Sequence, residues 1–266
     1  VYLFDSQKLV KFERVKSFTL AKEESNWMVY QMEKPLREKD DNADKDKKEK
    51  TFDRSAPEGT ELVIYNPLKD KEYRFEDVTD YTLSEGGNLV SFVTLQNDSL
   101  LKSSVYVFDT DKEEKELLFE SEGLSRKLTA DHQGEQLAFI HSPDTVKTKV
   151  YELYYWDGRK APRKIIDTLT QAIPEKWTVG EYGRIYFSDN DERLFFGTDL
   201  RPIPEPKDTL LEEEKVKVDV WNWKDKLLQP EQLDNGRREE RRTYLAVYHI
   251  DDDKVVQLED KTVRDI

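Results

Sequence analysis

Leu83-Ser84-Glu85-Gly86-Gly87-Asn88-Leu89-Val90-Ser91-Phe92-Val93 sets the pattern of this chain: a small residue, a polar turn, then a short apolar strand. The phrase returns as Leu20-Ala21 before Trp27-Met28-Val29-Tyr30, as Thr129-Ala130 before Leu137-Ala138-Phe139-Ile140, and as Phe187-Ser188 before Leu194-Phe195-Phe196. The small residues Ala21, Ser84, Ala130 and Ser188 stand 63, 46 and 58 residues apart. A period of about 45 residues, lengthened by insertions, is what stacked four-stranded blades produce. The expected fold is therefore all-β, a β-propeller or partial propeller of about four to five four-stranded antiparallel blades.

A second strand phrase follows the first in each repeat: Leu62-Val63-Ile64-Tyr65-Asn66, Val105-Tyr106-Val107-Phe108-Asp109, Tyr151-Glu152-Leu153-Tyr154-Tyr155-Trp156-Asp157 and Tyr244-Leu245-Ala246-Val247-Tyr248. The Asn66, Asp109 and Asp157 that close three of them are turn formers, because their side chains bond to backbone N–H groups just ahead. A third short strand comes next, at Glu72–Phe75, Leu117–Phe119, Arg163–Ile166 and Lys254–Leu258. The apolar runs are nearly continuous rather than strictly alternating, as expected of strands covered on both faces.

Composition fits that reading. The 12 Phe, 13 Tyr and 5 Trp supply large buried areas even though the mean hydropathy is only -0.87. A formal charge of -14 argues against nucleic acid, whose binding draws on clustered Lys and Arg. Without cysteine there is no disulfide, thiolate zinc site or cysteine nucleophile. No apolar run approaches the roughly 20 residues that span a bilayer, and no signal-peptide pattern appears. Beginning at Val1 and stopping at Ile266 just after a strand-like phrase, the chain reads as a piece of something longer.

The whole of 1–266 reads as one propeller region with two insertions, at about 34–58 and about 199–242. In the first, residues 37–50 hold twelve charged positions, six of each sign, and are expected to form a mobile surface loop. Its Asp40, Asn42 and Asp44 mimic the opening of a calcium loop, but Lys45 and Thr51 stand where that loop needs Gly and a bidentate Glu. The second insertion has a proline-rich lead, Arg201–Pro206, then Lys215–Trp223, whose period-two pattern puts Val216, Val218 and Val220 on one side and Trp221 and Trp223 on the other. Both tryptophans are expected to pack in a core rather than to stack on a ligand. A short helix is expected around Pro230–Leu233, ahead of a Gly236–Arg242 cluster that reads as a solvated ion-pair face or as a contact surface for a neighbouring domain.

The chain carries few signs of catalysis. No Gly-x-Ser-x-Gly elbow, phosphate loop, Gly-x-Gly-x-x-Gly turn or His-Glu-x-x-His helix is present. His132, His141 and His249 are expected as exposed turn residues. The carboxylates of Asp189-Asn190-Asp191-Glu192 and Asp251-Asp252-Asp253 have the residue types a glycosidase needs, yet sit where hairpins must turn. No catalytic, cofactor-binding or metal-ligating residue is assigned.

The phrase Val218-Asp219-Val220-Trp221-Asn222-Trp223-Lys224-Asp225, followed by Leu228-Gln229-Pro230-Glu231-Gln232, Leu245-Ala246-Val247-Tyr248 and Val256-Gln257-Leu258, resembles the propeller region of bacterial serine peptidases of the prolyl oligopeptidase family. The turn phrases Leu83–Leu89 and Phe187–Leu194 are similar to those of its blades. The resemblance implies a non-catalytic, periplasmic or secreted propeller that limits access and positions peptide substrates for a C-terminal α/β-hydrolase domain of the same polypeptide. No triad motif of the family matches here, and the four to five blades expected are fewer than the family's seven or eight. The alternatives are a free-standing propeller that binds a protein partner and a propeller glycosidase.

Overall fold

The computed structural model describes residues 2–3, 7–23, 25–34, 56–145, 148–203 and 222–264. The charged run 37–50, its calcium-like residues, and Lys215–Trp221 lie outside them.

The chain is all-β, built of antiparallel sheets. A short hairpin, β1 (Tyr2–Leu3) with β2 (Lys8–Leu9), precedes a seven-stranded sheet of β3 (Val15–Leu20), β4 (Met28–Met32), β5 (Thr60–Asn66), β6 (Lys71–Leu83), β7 (Leu89–Asn97), β8 (Leu101–Asp109) and β9 (Glu114–Glu122). That sheet is two four-stranded meanders sharing one long strand. The first half of β6 pairs with β5 through Lys71–Phe75, the second half pairs with β7 through Asp80–Leu83, and Asp77 between them takes φ 57°. A third meander follows: β10 (Leu124–Ala130), β11 (Leu137–Ser142), β12 (Glu152–Trp156) and β13 (Arg163–Ile166). The fourth has a leading strand split into β14 (Trp177–Val179) and β15 (Ile185–Phe187), both paired to β16 (Arg193–Leu200), then β17 (Tyr244–His249) and β18 (Lys254–Gln257). Gly123 joins the second meander to the third at φ 107°, where an added Cβ would lie 2.0 Å from the Ser142 carbonyl.

The repeating turn has a physical basis that a small residue alone does not supply. Ser84 and Ser188 accept the backbone N–H of Leu89 and Arg193 on their hydroxyls, each at 3.1 Å, and Asp131 accepts that of Gln136 at 2.9 Å. The register Leu83↔Val90, Ala130↔Leu137 and Phe187↔Leu194 makes Ser84, Asp131 and Ser188 equivalent, so the third repeat is set by Asp131 rather than by Ala130. In the first meander Ala21 holds this place without an acceptor. The other hairpins close as expected: Asn66, Asp109 and Asp157 each accept two backbone N–H groups at 3.0–3.2 Å.

Packing explains the continuous apolar runs. In β11, Leu137 and Phe139 face Val93, Val105 and Val107 of the second meander, while Ala138 and Ile140 face Leu194, Phe196, Ala246 and Tyr248 of the fourth. Trp27, Val29, Leu62 and Ile64 of the first meander meet Val90, Phe92 and Phe108 of the second in the same way. Strands buried on both faces have no polar side to display.

Three expectations are corrected. His141 is no turn residue: it lies inside β11 and is 2% exposed, because all six residues of that strand are covered. His132 does sit in the β10–β11 turn, and His249 ends β17 half-buried. Trp223 does not pack in a core; it is 88% exposed in a turn, with the Lys224 ammonium 5.3 Å from its ring. The helix is longer than expected, α1 at Gln229–Glu240, started by Pro230 in its first turn and by the Glu231 carboxylate accepting the Leu228 N–H at 3.1 Å.

Candidate functional site

The leading strand of each meander is the one that sequence patterning missed, and each is interrupted. The register slips between Val15 and Ser17, between Val78 and Asp80, and between Arg126 and Thr129, and in the fourth meander Gly180–Arg184 separates β14 from β15. Bulges of this kind re-aim side chains out of the ladder. Ser17, Asp80 and Arg126 occupy equivalent register positions, opposite Gln31, Val93 and Ile140. Gly183 and Gly197 meet where the fourth strand is interrupted; a Cβ on either would come within 2.6 Å of the other's Cα.

The leading strands lie beside one another, β3 next to β6, β6 next to β10, and β10 next to β15, so these interruptions form one polar seam. Asp80 reaches from the second meander to the third, accepting the N–H of Lys127 at 2.6 Å and of Leu128 at 3.3 Å. Burial pushes the Asp80 carboxyl upward, and those N–H groups oppose the shift. Lys127 stands at φ 56°, and its ammonium donates across to the Gly183 carbonyl of the fourth meander. Burial, together with the neighbouring Arg126 charge, lowers its pKa. Arg126 donates through Nη1 to Glu181 Oε1 at 2.6 Å, and buried Tyr151 nearby is pushed up to about 12 by desolvation. Arg241, just past α1, lies 5.3 Å from the Tyr182 ring, bringing the end of the second insertion back to the seam.

Along this line two adjacent cations, Arg126 and Lys127, lie between two carboxylates, Asp80 and Glu181, each already engaged by a neighbouring meander. Such a surface can offer hydrogen bonds and matched charge to an extended polar ligand. Among the described residues it holds no nucleophile beside a base.

A Ser–His contact among the described residues lies elsewhere. Ser125 Oγ is 2.9 Å from His141 Nδ1, but both residues are buried, with Phe119 and Tyr154 against the imidazole. The Ser125 N–H donates to Ser103 Oγ at 2.9 Å, and that hydroxyl donates to the Gly123 carbonyl at 2.7 Å. Burial pulls the His141 pKa down to about 4, leaving a neutral ring that ties strands together with no route for a substrate. The two acidic stretches serve as turns. Asp191 accepts the His132 N–H at 3.0 Å, and Asp253 accepts the Tyr248 hydroxyl at 2.7 Å and an Arg163 N–H at 2.8 Å. Among the described residues no group of three or more His, Asp and Glu is arranged to hold a metal ion, and no helix there is long and apolar enough to cross a membrane.

No protein-family model matches the chain, and no curated protein matches it in sequence. Solved structures similar to it include the tricorn protease, at 11% identity and TM-score 0.47 over 96% of this chain and 24% of that one. The acylaminoacyl peptidase of Pyrococcus horikoshii follows at 11% identity and TM-score 0.45, over 94% of this chain and 33% of that one. A third is the β-propeller domain of the Trilobed protease from Pyrococcus furiosus, at 12% identity and TM-score 0.35, over 94% of this chain and 73% of that domain. The chain spans a quarter to a third of the first two, and likeness at this level assigns no activity to it.

Proposed function

We propose that the chain is a non-catalytic β-propeller portion of a prolyl oligopeptidase-like serine peptidase, its four meanders being four blades. In this reading it limits access and positions peptides for a C-terminal α/β-hydrolase domain of the same polypeptide, in a periplasmic or secreted protein. The observation that carries it is the alignment of interrupted leading strands into the seam of Asp80, Arg126, Lys127 and Glu181. In a propeller the leading strands surround the central channel, so this seam would line the path of an entering chain. An extended peptide presents backbone groups that such a lining can hydrogen-bond, whereas a folded protein is too wide to enter.

Two further features support a larger assembly. Both long connections, between β4 and β5 and between β16 and β17, join the second strand of a meander to its third, which places them at the same end of their sheets. The face of the fourth meander turned away from the third carries a cleft of about 460 Å³ lined by Arg184, Tyr186, Gly197, Thr243, Leu245 and Glu259, where a further blade would pack.

The second reading, a free-standing scaffold for a protein partner, is favoured by one observation. Trp223, Leu228 and Leu233 are all exposed at or just before the start of α1, large apolar side chains left open to a partner. A single experiment separates the two readings. The native protein is captured from its source with an antibody to this chain, weighed, and treated with a fluorophosphonate serine-hydrolase probe. A polypeptide far above 31.5 kDa that takes the label outside this region is the expected result. A native chain of about 31.5 kDa that stays unlabelled overturns it in favour of the scaffold.

A further inference from the structure

The turns that end the leading strands converge around His132. Its Nε2 lies 2.9 Å from Glu23 Oε1, in the turn of the first meander, and its Nδ1 lies 3.1 Å from Glu85 Oε2, in the turn of the second. Lys22 pairs with the other oxygen of Glu85, and Asp191 of the fourth meander accepts the His132 backbone N–H at 3.0 Å. Backbone bonds cross the same boundaries: the Lys22 and Glu23 N–H groups reach the Glu85 carbonyl at 3.0 and 3.2 Å, and the Gly86 N–H reaches the His132 carbonyl at 3.4 Å. His132 and Glu23 are 109 positions apart, and they tie the first meander directly to the third.

We propose that His132 is a proton-operated latch, closed when the imidazole is a cation donating to Glu23 and Glu85 together, and released when it loses its proton. The chemistry follows from the two ring nitrogens. An imidazolium donates from both, so each carboxylate receives a hydrogen bond and an opposite charge. The neutral ring donates from one nitrogen only and turns the lone pair of the other toward a carboxylate, an arrangement that repels. The ionisable groups facing the ring are Glu23 and Lys22 from the first turn, Glu85 from the second and Asp191 from the fourth, three acids against one base.

The hydrogen bond to Glu23 raises the His132 pKa above 6.5, with burial opposing and the charges of Glu23, Glu85 and Asp191 adding to the rise. For a group whose folded pKa is raised, the stabilisation is fully present below the unfolded value of 6.5 and is lost as pH climbs through the folded value. The latch therefore closes below pH 6.5 and opens as pH rises through a folded pKa that lies above it. It loosens the end of the leading strands without unfolding the sheets, whose cores contain no part of it.

Amide hydrogen exchange on the whole chain tests this, with rates corrected for the intrinsic effect of pH. Protection of the Lys22, Glu23 and Gly86 amides is expected to fall several-fold, roughly threefold to tenfold, between about pH 6 and about pH 9, while the β11 amides stay unchanged. In His132→Gln the three amides should be weakly protected at both pH values. A parallel NMR titration of the His132 ring should give a pKa above 6.5 that moves down in Glu23→Gln. Wild-type protection that ignores pH, a variant that keeps the same pH response, or a ring that titrates at or below 6.5 overturns the proposal. So does a response abolished by a chelator, which would make the cluster a metal site.

Discussion

His132 and His141 stand nine residues apart on one hairpin, and the molecule treats them in opposite ways. The first sits at the rim between two carboxylates that favour its charged form; the second lies in the sheet interior, where desolvation forbids charge and its pKa falls to about 4. The same contrast holds for the regions around them. Between the meanders the contacts are large and apolar, as where Phe119 meets Phe139 with ring centroids 5.3 Å apart and Phe196 packs against Ile140 and Leu153. At the turns and the leading strands they are hydrogen bonds and ion pairs. The interior supplies stability; the rim fixes which turn meets which, with small energies that pH and salt can alter.

The largest effect should come from breaking the interior. Phe196→Ala removes a fully buried ring at the junction of the third and fourth meanders and should cost about 3–5 kcal/mol, read from the shift in a chemical denaturation midpoint. A cost under about 1 kcal/mol would mean that the junction repacks and that the interior is not where stability resides. Next comes the buried histidine. Because the unfolded His141 takes a proton near pH 6.5 and the folded one only near pH 4, stability should drop by roughly 2–3 kcal/mol as pH falls through that window. His141→Phe should lack this portion of the pH slope, whatever its absolute stability, and an unchanged slope would remove His141 from the account.

The rim clamps are weaker and graded. Asp131 is buried and satisfies two N–H groups, those of Glu135 at 2.8 Å and Gln136 at 2.9 Å, so Asp131→Ala should cost about 1–3 kcal/mol. Ser84→Ala leaves the Leu89 N–H without its hydroxyl partner and should cost about 1 kcal/mol. Equal costs for the two would show that the number of bonds accepted does not set the strength of the clamp.

This contrast also marks what was legible in the sequence. The second and third strands of every meander stood out because both their faces are covered, leaving uninterrupted apolar runs such as Leu137–Ile140 and Leu62–Tyr65. The leading strands did not. Val15–Leu20 alternates in burial but carries Ser17 and Thr19 on its more covered side and Phe18 and Leu20 on its exposed one, and Leu124–Ala130 carries Arg126 and Lys127 at a bulge, so neither shows an apolar period of two in its sequence. The seam of Asp80, Arg126, Lys127 and Glu181 lies on those strands and was missed with them. A small-residue pattern located the turns but aligned the third one a position early, since Asp131 works there through its acceptor oxygen rather than its size. His141 was misplaced because a histidine inside an apolar run looks polar until its serine partner, sixteen residues away, is brought beside it.

The smallest effect separates rim from interior most sharply. Residue type alone placed Trp223 in a core, and a buried tryptophan lost to Ala costs about 3–5 kcal/mol. Its surroundings say otherwise: it lies in a turn on the long β16–β17 connection, with the Lys224 ammonium near its ring and Leu227 and Leu228 exposed just beyond. Trp223→Ala should therefore change stability by no more than about 0.5 kcal/mol, the range for surface positions. A loss of several kcal/mol would return Trp223 to the interior and remove the most exposed of the apolar side chains on which the scaffold reading depends. With stability unchanged, the same variant tests the scaffold reading cleanly: weaker capture of a partner by a chain that folds normally can only come from the lost surface.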